Sequence, residues 1–424
     1  MSAAAGSPAF APPLDGRFYV TTQARRLLDM LVAVWIAAGA LVFIEPSPYE
    51  LAFVGVLGVA LAAGFGLYRS TLGLLFIFIG FVPFGLVSSF QAQITPLSEA
   101  LIFVIVTYFL LLTSYFIANY VLDAPVRRMR LIIAAYSFAA VLSAVIGTLS
   151  YLGLFPSADL FLLYGRARAM FKDPNVYGPF LILPAAYALQ RVLLTRGWGM
   201  LFSGAIYGIL LVGVFVSFSR AAWGHLAGSS ALVVLLVFLI EANAREKLRI
   251  IIVSMAGLVS VAVLLAGLLS IPEVSSLFAV RTESQNYDTG ETGRFGRQAF
   301  AFEQALAHPL GLGPQEFRNG PIPEEPHNTY VNVLLNYGWG GGGLYWLLIF
   351  WTSWLAIAGL LRAGPMRLAM IPLASTWFML IAEAAIIDTD HWRHFFLLTG
   401  LIWGVAKART PPGIDRRALL RPRR

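Results

Sequence analysis

Twelve apolar stretches, most of them about as long as a bilayer is thick, follow one another between residues 27 and 407. They cover 27–44, 50–68, 71–90, 99–122, 131–153, 174–193, 198–217, 221–241, 250–270, 328–361, 368–387 and 394–407. A helix of ~20 apolar residues crosses the hydrocarbon core, because it satisfies every backbone amide within itself. The pattern predicts an all-α polytopic membrane protein with about 12 transmembrane helices. Composition agrees: 58% hydrophobic and 12% charged residues leave too few charges to cover a soluble globule of 424 residues. The tenth stretch is overlong, so a surface turn or kink is expected within it, and the last is short. No short apolar core ending in a small-residue cleavage site comes before the first span, which is expected to act as an uncleaved anchor. The absence of cysteine excludes disulfides, zinc–thiolate sites, iron–sulfur clusters and thiol catalysis.

A net charge of +8 raises the question of nucleic acid, and the placement of the charges answers it. With the N-terminus inside and the spans alternating, 21 of the 30 lysines and arginines fall in inside segments and 9 outside. Both termini are therefore expected in the cytoplasm. The reading gives a cytoplasmic segment 1–26, spans 1–9 over 27–270, an outside loop 271–327, spans 10–12 over 328–407 and a basic tail 408–424. Such a tail suits anionic lipid headgroups rather than nucleic acid. The outside loop is rich in Gly, Pro, Asn and charge. Phe295, Ala299, Phe302 and Leu306 recur at helical spacing, which predicts a short helix over 293–307, ended by Pro309 and a Gly311–Pro314 turn.

The acidic residues lie almost wholly at span ends or in loops; only Glu383 sits clearly inside a span. Ion-coupled carriers keep carboxylates near mid-membrane, so this chain does not read as one. A passive flippase or exporter of lipid-linked sugar stays open, as does a non-catalytic subunit of a polysaccharide complex. The outside arginines run against the positive-inside trend. Arg220, in Ser219-Arg220-Ala221-Ala222-Trp223, is flanked by apolar helix; its guanidinium suits phosphate oxygens or snorkels to headgroups. Arg294 and Arg297 can share a helix face as a binding pair or as a solvated basic surface. His327 opens the tenth span and can exchange protons near neutral pH or merely start the helix. Asn328, Asn332 and Asn336 recur every fourth residue, able to bind sugar hydroxyls or to join helices. Asp388, Asp390, His391 and His394 read either as a divalent-metal cluster or as a polar turn. Gly340–Gly343 is no phosphate loop, since it lacks the Lys-Ser/Thr partner and lies within a span.

Taken in order, these elements resemble the O-antigen ligase and O-antigen polymerase family of bacterial inner membranes. The resemblance rests on Asp173-Pro174-Asn175, then Ser219–Trp223 opening a span, then Arg294 fifteen residues before Pro309 in His308–Phe317. His327-Asn328-Thr329-Tyr330 follows, leading into Tyr337-Gly338-Trp339-Gly340. It implies an inverting, metal-independent glycosyltransferase without cofactors. Such an enzyme moves a glycan from undecaprenyl pyrophosphate, on the periplasmic side, to lipid A–core sugar or to another lipid-linked glycan. By the same resemblance Arg220 and Arg294 hold the donor pyrophosphate and His327 acts on the acceptor hydroxyl. Arg166, Asn175, Arg297, Asn328 and Asn332 are further candidate substrate contacts. Gly293 departs from the family, where Ser often precedes the arginine, and this leaves the start of the loop helix open.

Overall fold

The computed structural model describes residues 22–43, 47–282, 290, 293–320, 324–409, 417 and 420. Most of the N-terminal segment 1–26, most of the basic tail and parts of the 271–327 loop lie outside the described residues. Among the described residues the chain is all-α apart from one short hairpin of two-residue strands.

A helix stands at each of the twelve predicted positions. In chain order these are α1 (Thr22–Ala38), α2 (Pro48–Ala62), α3 (Leu72–Ser89), α4 (Leu97–Asp123) and α5 (Pro125–Tyr151). Next come α6 (Pro174–Phe180) with α7 (Ile182–Leu194), α8 (Trp198–Val216), α9 (Arg220–Leu236) and α10 (Ala244–Leu269). The loop carries α11 (Pro272–Thr282), α12 (Arg294–Ala307) and α13 (Glu316–Asn319), and α14 (Thr329–Leu361), α15 (Pro365–Glu383) and α16 (Arg393–Lys407) close the bundle. Among the described residues nine segments are long and apolar enough to cross a membrane. The helices α1, α2 and α16, of 17, 15 and 15 residues, are shorter. Of these, α16 is buried along most of its length, with Ser114 of α4 donating to Phe396 O at 2.6 Å.

The sixth position is two helices for a local reason. Pro184 has no N–H for the carbonyl of Phe180 one turn back, and the Tyr136 hydroxyl supplies the missing donor at 2.9 Å. The expected irregularity of the tenth span is a kink at Gly338 (φ 68°). The 309–312 turn threads into it: Trp339 N donates to Pro309 O at 2.9 Å and Leu312 N to Leu335 O at 2.8 Å. A Cβ on Gly338 would stand 2.6 Å from backbone atoms of Pro309 and Leu310. Gly338→Ala is therefore expected to cut the yield of monodisperse protein severely, as size-exclusion chromatography of membrane extracts would show. A wild-type profile would mean the turn can move aside.

The loops divide between two ends. At one, Val42 N meets Met170 O at 2.8 Å, Arg393 meets Glu50 at 2.7 Å, and Glu316 accepts from the amides of Gln93, Ile94 and Thr95 at 2.8–3.0 Å. At the other, Asp29 pairs with Arg127, Arg367 with Glu241, and Arg417 with Glu246 at 2.6 Å. These groupings match the alternation of spans, and the first end is the one that the Lys/Arg bias predicts to be outer. Against the bundle, α10 stands apart: Ile250 alone of its 26 residues is buried.

Helix α12 has the predicted span, but its apolar stripe faces away from the protein. Phe295, Phe302 and Leu306 are exposed, while Arg297, Ala301 and Ala305 are buried. Such a helix, with its large apolar side chains outward, suits the bilayer interface.

Candidate active site

The outer start of α9 is built by Ser217-Phe218-Ser219. Phe218 is fully buried with φ at +47°, an uncommon conformation for a bulky residue. The bend is fixed by Ser217 Oγ, which accepts from Ser219 N at 3.3 Å, and by Ser219, which caps α9 by accepting from Ala222 N at 3.4 Å. Arg220 is the first helical residue and is half-buried.

Arg166 reaches the same bend from a hairpin in which Leu163 pairs with Arg166 across Tyr164-Gly165. Both turn residues have positive φ, as a two-residue hairpin requires. Arg166 is buried, and donates to Ser217 O at 2.8 Å and to Asn175 Oδ1 at 2.9 Å. Asn175 is held in turn by Asp173, which accepts from its amide at 2.6 Å and caps α6. Burial, with the nearby Arg281 charge, lowers the Arg166 guanidinium to about 10, against a smaller upward pull from Asp173. Arg281 lies on α11, which packs over α9 through Phe278, stacked 5.5 Å from Trp223. Guanidinium-bearing residues thus gather around the α8–α9 bend, where a polyanion would offset their mutual repulsion.

His327 is the second focus. It too has positive φ (54°), just before Asn328 caps α14 by accepting from Tyr330 N and Val331 N. Asp388 accepts from His327 N and Asn328 N, both at 3.1 Å, and its carboxylate lies 3.3 Å from His327 Nδ1. That contact orients the imidazole. Gln298 of α12 donates to His327 O at 2.9 Å. Arg294 stands one turn before Gln298, on the same side of α12. Arg297 is buried and paired with Glu324.

The two foci meet through the end of α15. Glu383 there pairs with His225 of α9 at 2.6 Å, and the next residue, Ala384, accepts from Thr329 N at 2.8 Å. Beside His327, Glu325 and Asp390 share the neighbourhood of Asp388. Burial and the Asp388 and Asp390 charges raise Glu325 to about 8, against the pull of Arg318, 3.9 Å away. Burial, then Asp388, raises Asp390 to about 7.

The asparagines of α14 are occupied within the protein. Asn328 caps its helix, Asn332 bonds Asp390 and accepts from Asn336, and Asn336 accepts from Gln315 N at 3.1 Å. The Asp388–His394 cluster spreads instead of gathering. Asp388 serves His327, Asp390 faces Asn332 and His391, His391 bonds Thr107 at 2.8 Å, and His394 lies against the Trp392 ring. Among the described residues no three His, Asp or Glu side chains could hold a metal ion together. Sequence reasoning passed over His225 and gave Arg281 no site role. A histidine in an apolar span is itself a signal, since an intramembrane ionisable residue needs a partner.

A cavity of about 1080 Å³ runs between α8, α9 and α10. Its wall is apolar, from Leu193 and Val253 near the inner end to Phe215, Trp223 and Leu265 near the outer. Trp223 is one turn from Arg220, so the apolar groove ends beside the basic bend. A lipid tail and its charged head would find matching surfaces in succession.

A family model described as O-antigen ligase matches residues 205–346, from within α8 into α14. Over that stretch the chain is similar to the O-antigen ligase family. The matched stretch, about a third of the chain, holds the α8–α9 bend with Arg220, the outer loop with Arg294, and His327. No curated protein matches the chain at a significant level.

Proposed function

We propose that the protein is an inverting glycosyltransferase. It moves a glycan from undecaprenyl pyrophosphate to an acceptor sugar hydroxyl on the periplasmic face of the bacterial inner membrane. The observation that carries this reading is the apolar groove ending beside Arg220. A polyprenyl chain fills the groove between α8, α9 and α10, and its diphosphate meets the guanidinium groups of Arg220 and Arg294, with Arg166 and Arg281 adding to the field. As the bond between the anomeric carbon and phosphate oxygen breaks, negative charge grows on the departing diphosphate. Fixed guanidinium groups in a poorly solvated site stabilise that charge. His327, oriented by Asp388, takes the proton of the acceptor hydroxyl, which attacks the opposite face of the anomeric carbon. No step requires a metal, so a chelator should leave transfer unchanged.

Transfer from purified undecaprenyl-pyrophosphate glycan in proteoliposomes tests the reading; flipping without a new glycosidic bond would favour the exporter instead. The groove has its own test. Gly208 and Ala227 line it, and a Cβ on Gly208 would meet open space. Gly208→Trp and Ala227→Trp should raise the donor KM about tenfold or more, while a short-chain prenyl donor is spared. Equal effects on both donors would remove the groove from the argument. Deletion of the gene separates the acceptors: loss of lipopolysaccharide-attached chains with free lipid-linked polymer retained means a ligase, and chains cut to one unit mean a polymerase.

A further inference from the structure

His225 and Glu383 lie in helices α9 and α15, far apart in sequence, with side chains only 1% and 2% exposed. His225 Nε2 stands 3.1 Å from Thr376 O, a group that only accepts, so Nε2 carries a proton. His225 Nδ1 stands 2.6 Å from Glu383 Oε2. Two lone pairs at that separation would repel, so a second proton lies between them. The pair is a single proton-sharing unit, either imidazolium with carboxylate or imidazole with carboxylic acid. Glu383 Oε1 is buried and has no hydrogen-bond partner among the described residues, so the unit is held at a cost in desolvation. An apolar pair would join the two helices without that cost.

What the unit joins gives it a purpose. Arg220 begins α9 five residues before His225, a rise of about 7.5 Å toward the outer end. Glu383 ends α15, and the residues that follow it hold the His327 turn. Ala384 O accepts from Thr329 N at 2.8 Å, Ile387 O accepts from Thr329 Oγ1 at 2.9 Å, and Asp388 grips the amides of His327 and Asn328. The covalent route from Arg220 to His327 runs through α9, α10 and the long outer loop; the route through the pair is a few residues long.

We propose that His225 and Glu383 are positioning residues, a buried clamp that fixes the helix bearing Arg220 against the turn bearing His327. The role in turnover rests on the transferase reading above; the clamp itself does not. Because the chain has no cysteine, Gly224→Cys on α9 and Ile386→Cys beyond α15 can carry spin labels at exposed positions in the full-length protein in nanodiscs. In that background, His225→Ala and Glu383→Ala should each broaden or shift the measured distance by several ångströms. Glu383→Gln, whose amide can donate to Nδ1, should restore it. Each alanine variant should lower kcat by about tenfold or more with donor KM changed less than about threefold, and the double variant should be no worse than either single. An unchanged distance in both alanine variants, or glutamine no better than alanine, overturns the clamp. If the distance responds as expected while wild-type protein transfers no glycan, the clamp stands and the transferase reading falls.

Discussion

Replacing Arg220, Arg294 or His327 by alanine should lower glycan transfer by about 10²–10⁴-fold, with protein still inserted in the membrane. Loss of one fixed donor to a developing anion costs about 10²–10³-fold, and loss of a general base costs a similar factor. The three changes differ in kind. In the proposed mechanism Arg220 and Arg294 act on the donor, so lysine at either position should recover only part of the rate, because an ammonium lacks the planar fork that grips two phosphate oxygens. Quantifying product on gels against membrane protein level is sufficient. Near-normal rates in all three variants would remove these residues from the chemistry. Arg297 is a useful contrast: its side chain is buried against Glu324, so its replacement should show as lost stability of the outer loop more than as lost turnover.

The second large effect is on stability and its pH dependence. Asp390, between α15 and α16, is raised by burial and by Asp388 from an ordinary 3.8 to about 7. Glu325 beside it is raised to about 8, and His391 stands 3.8 Å from Asp390. A carboxyl raised in the folded state binds its proton more tightly there than in the unfolded chain. Its contribution is therefore complete below about pH 4 and is lost as pH rises toward 7. For Asp390 the ceiling is roughly 4 kcal/mol. Thermal unfolding in detergent should show wild-type Tm falling from pH 5 to pH 8, and Asp390→Asn should flatten that fall. A wild-type Tm that climbs over this interval would mean the folded protein favours the ionised carboxylate.

The spans were legible because the bilayer imposes one requirement on every segment, and hydropathy reads it directly. Span ends were less so: α1 begins at Thr22, before the apolar run, and α16 needs no full bilayer length because it is buried in the bundle. The loop helix was found from Phe295, Phe302 and Leu306, yet those residues face outward. Periodicity reports an amphipathic helix without saying whether its apolar side meets protein or lipid. The α14 asparagines show a related limit, since an amide stripe looks the same whether it binds sugar or its neighbours. His225 was missed because its partner is 158 positions away. The groove was hidden because α10 is as apolar as any span, and only its distance from α8 and α9 opens the space.

The isolation of α10 also bears on how a substrate arrives. A groove whose far wall barely touches the bundle opens sideways into the hydrocarbon, so under the proposed function a polyprenyl carrier would slide in within the leaflet without its tail ever meeting water. On the same reading, ordinary acyl chains would stand in that slot between turnovers, and each carrier would have to displace them. The rate of reloading would then depend on the fluidity and thickness of the surrounding bilayer, and detergent molecules would compete for the same space.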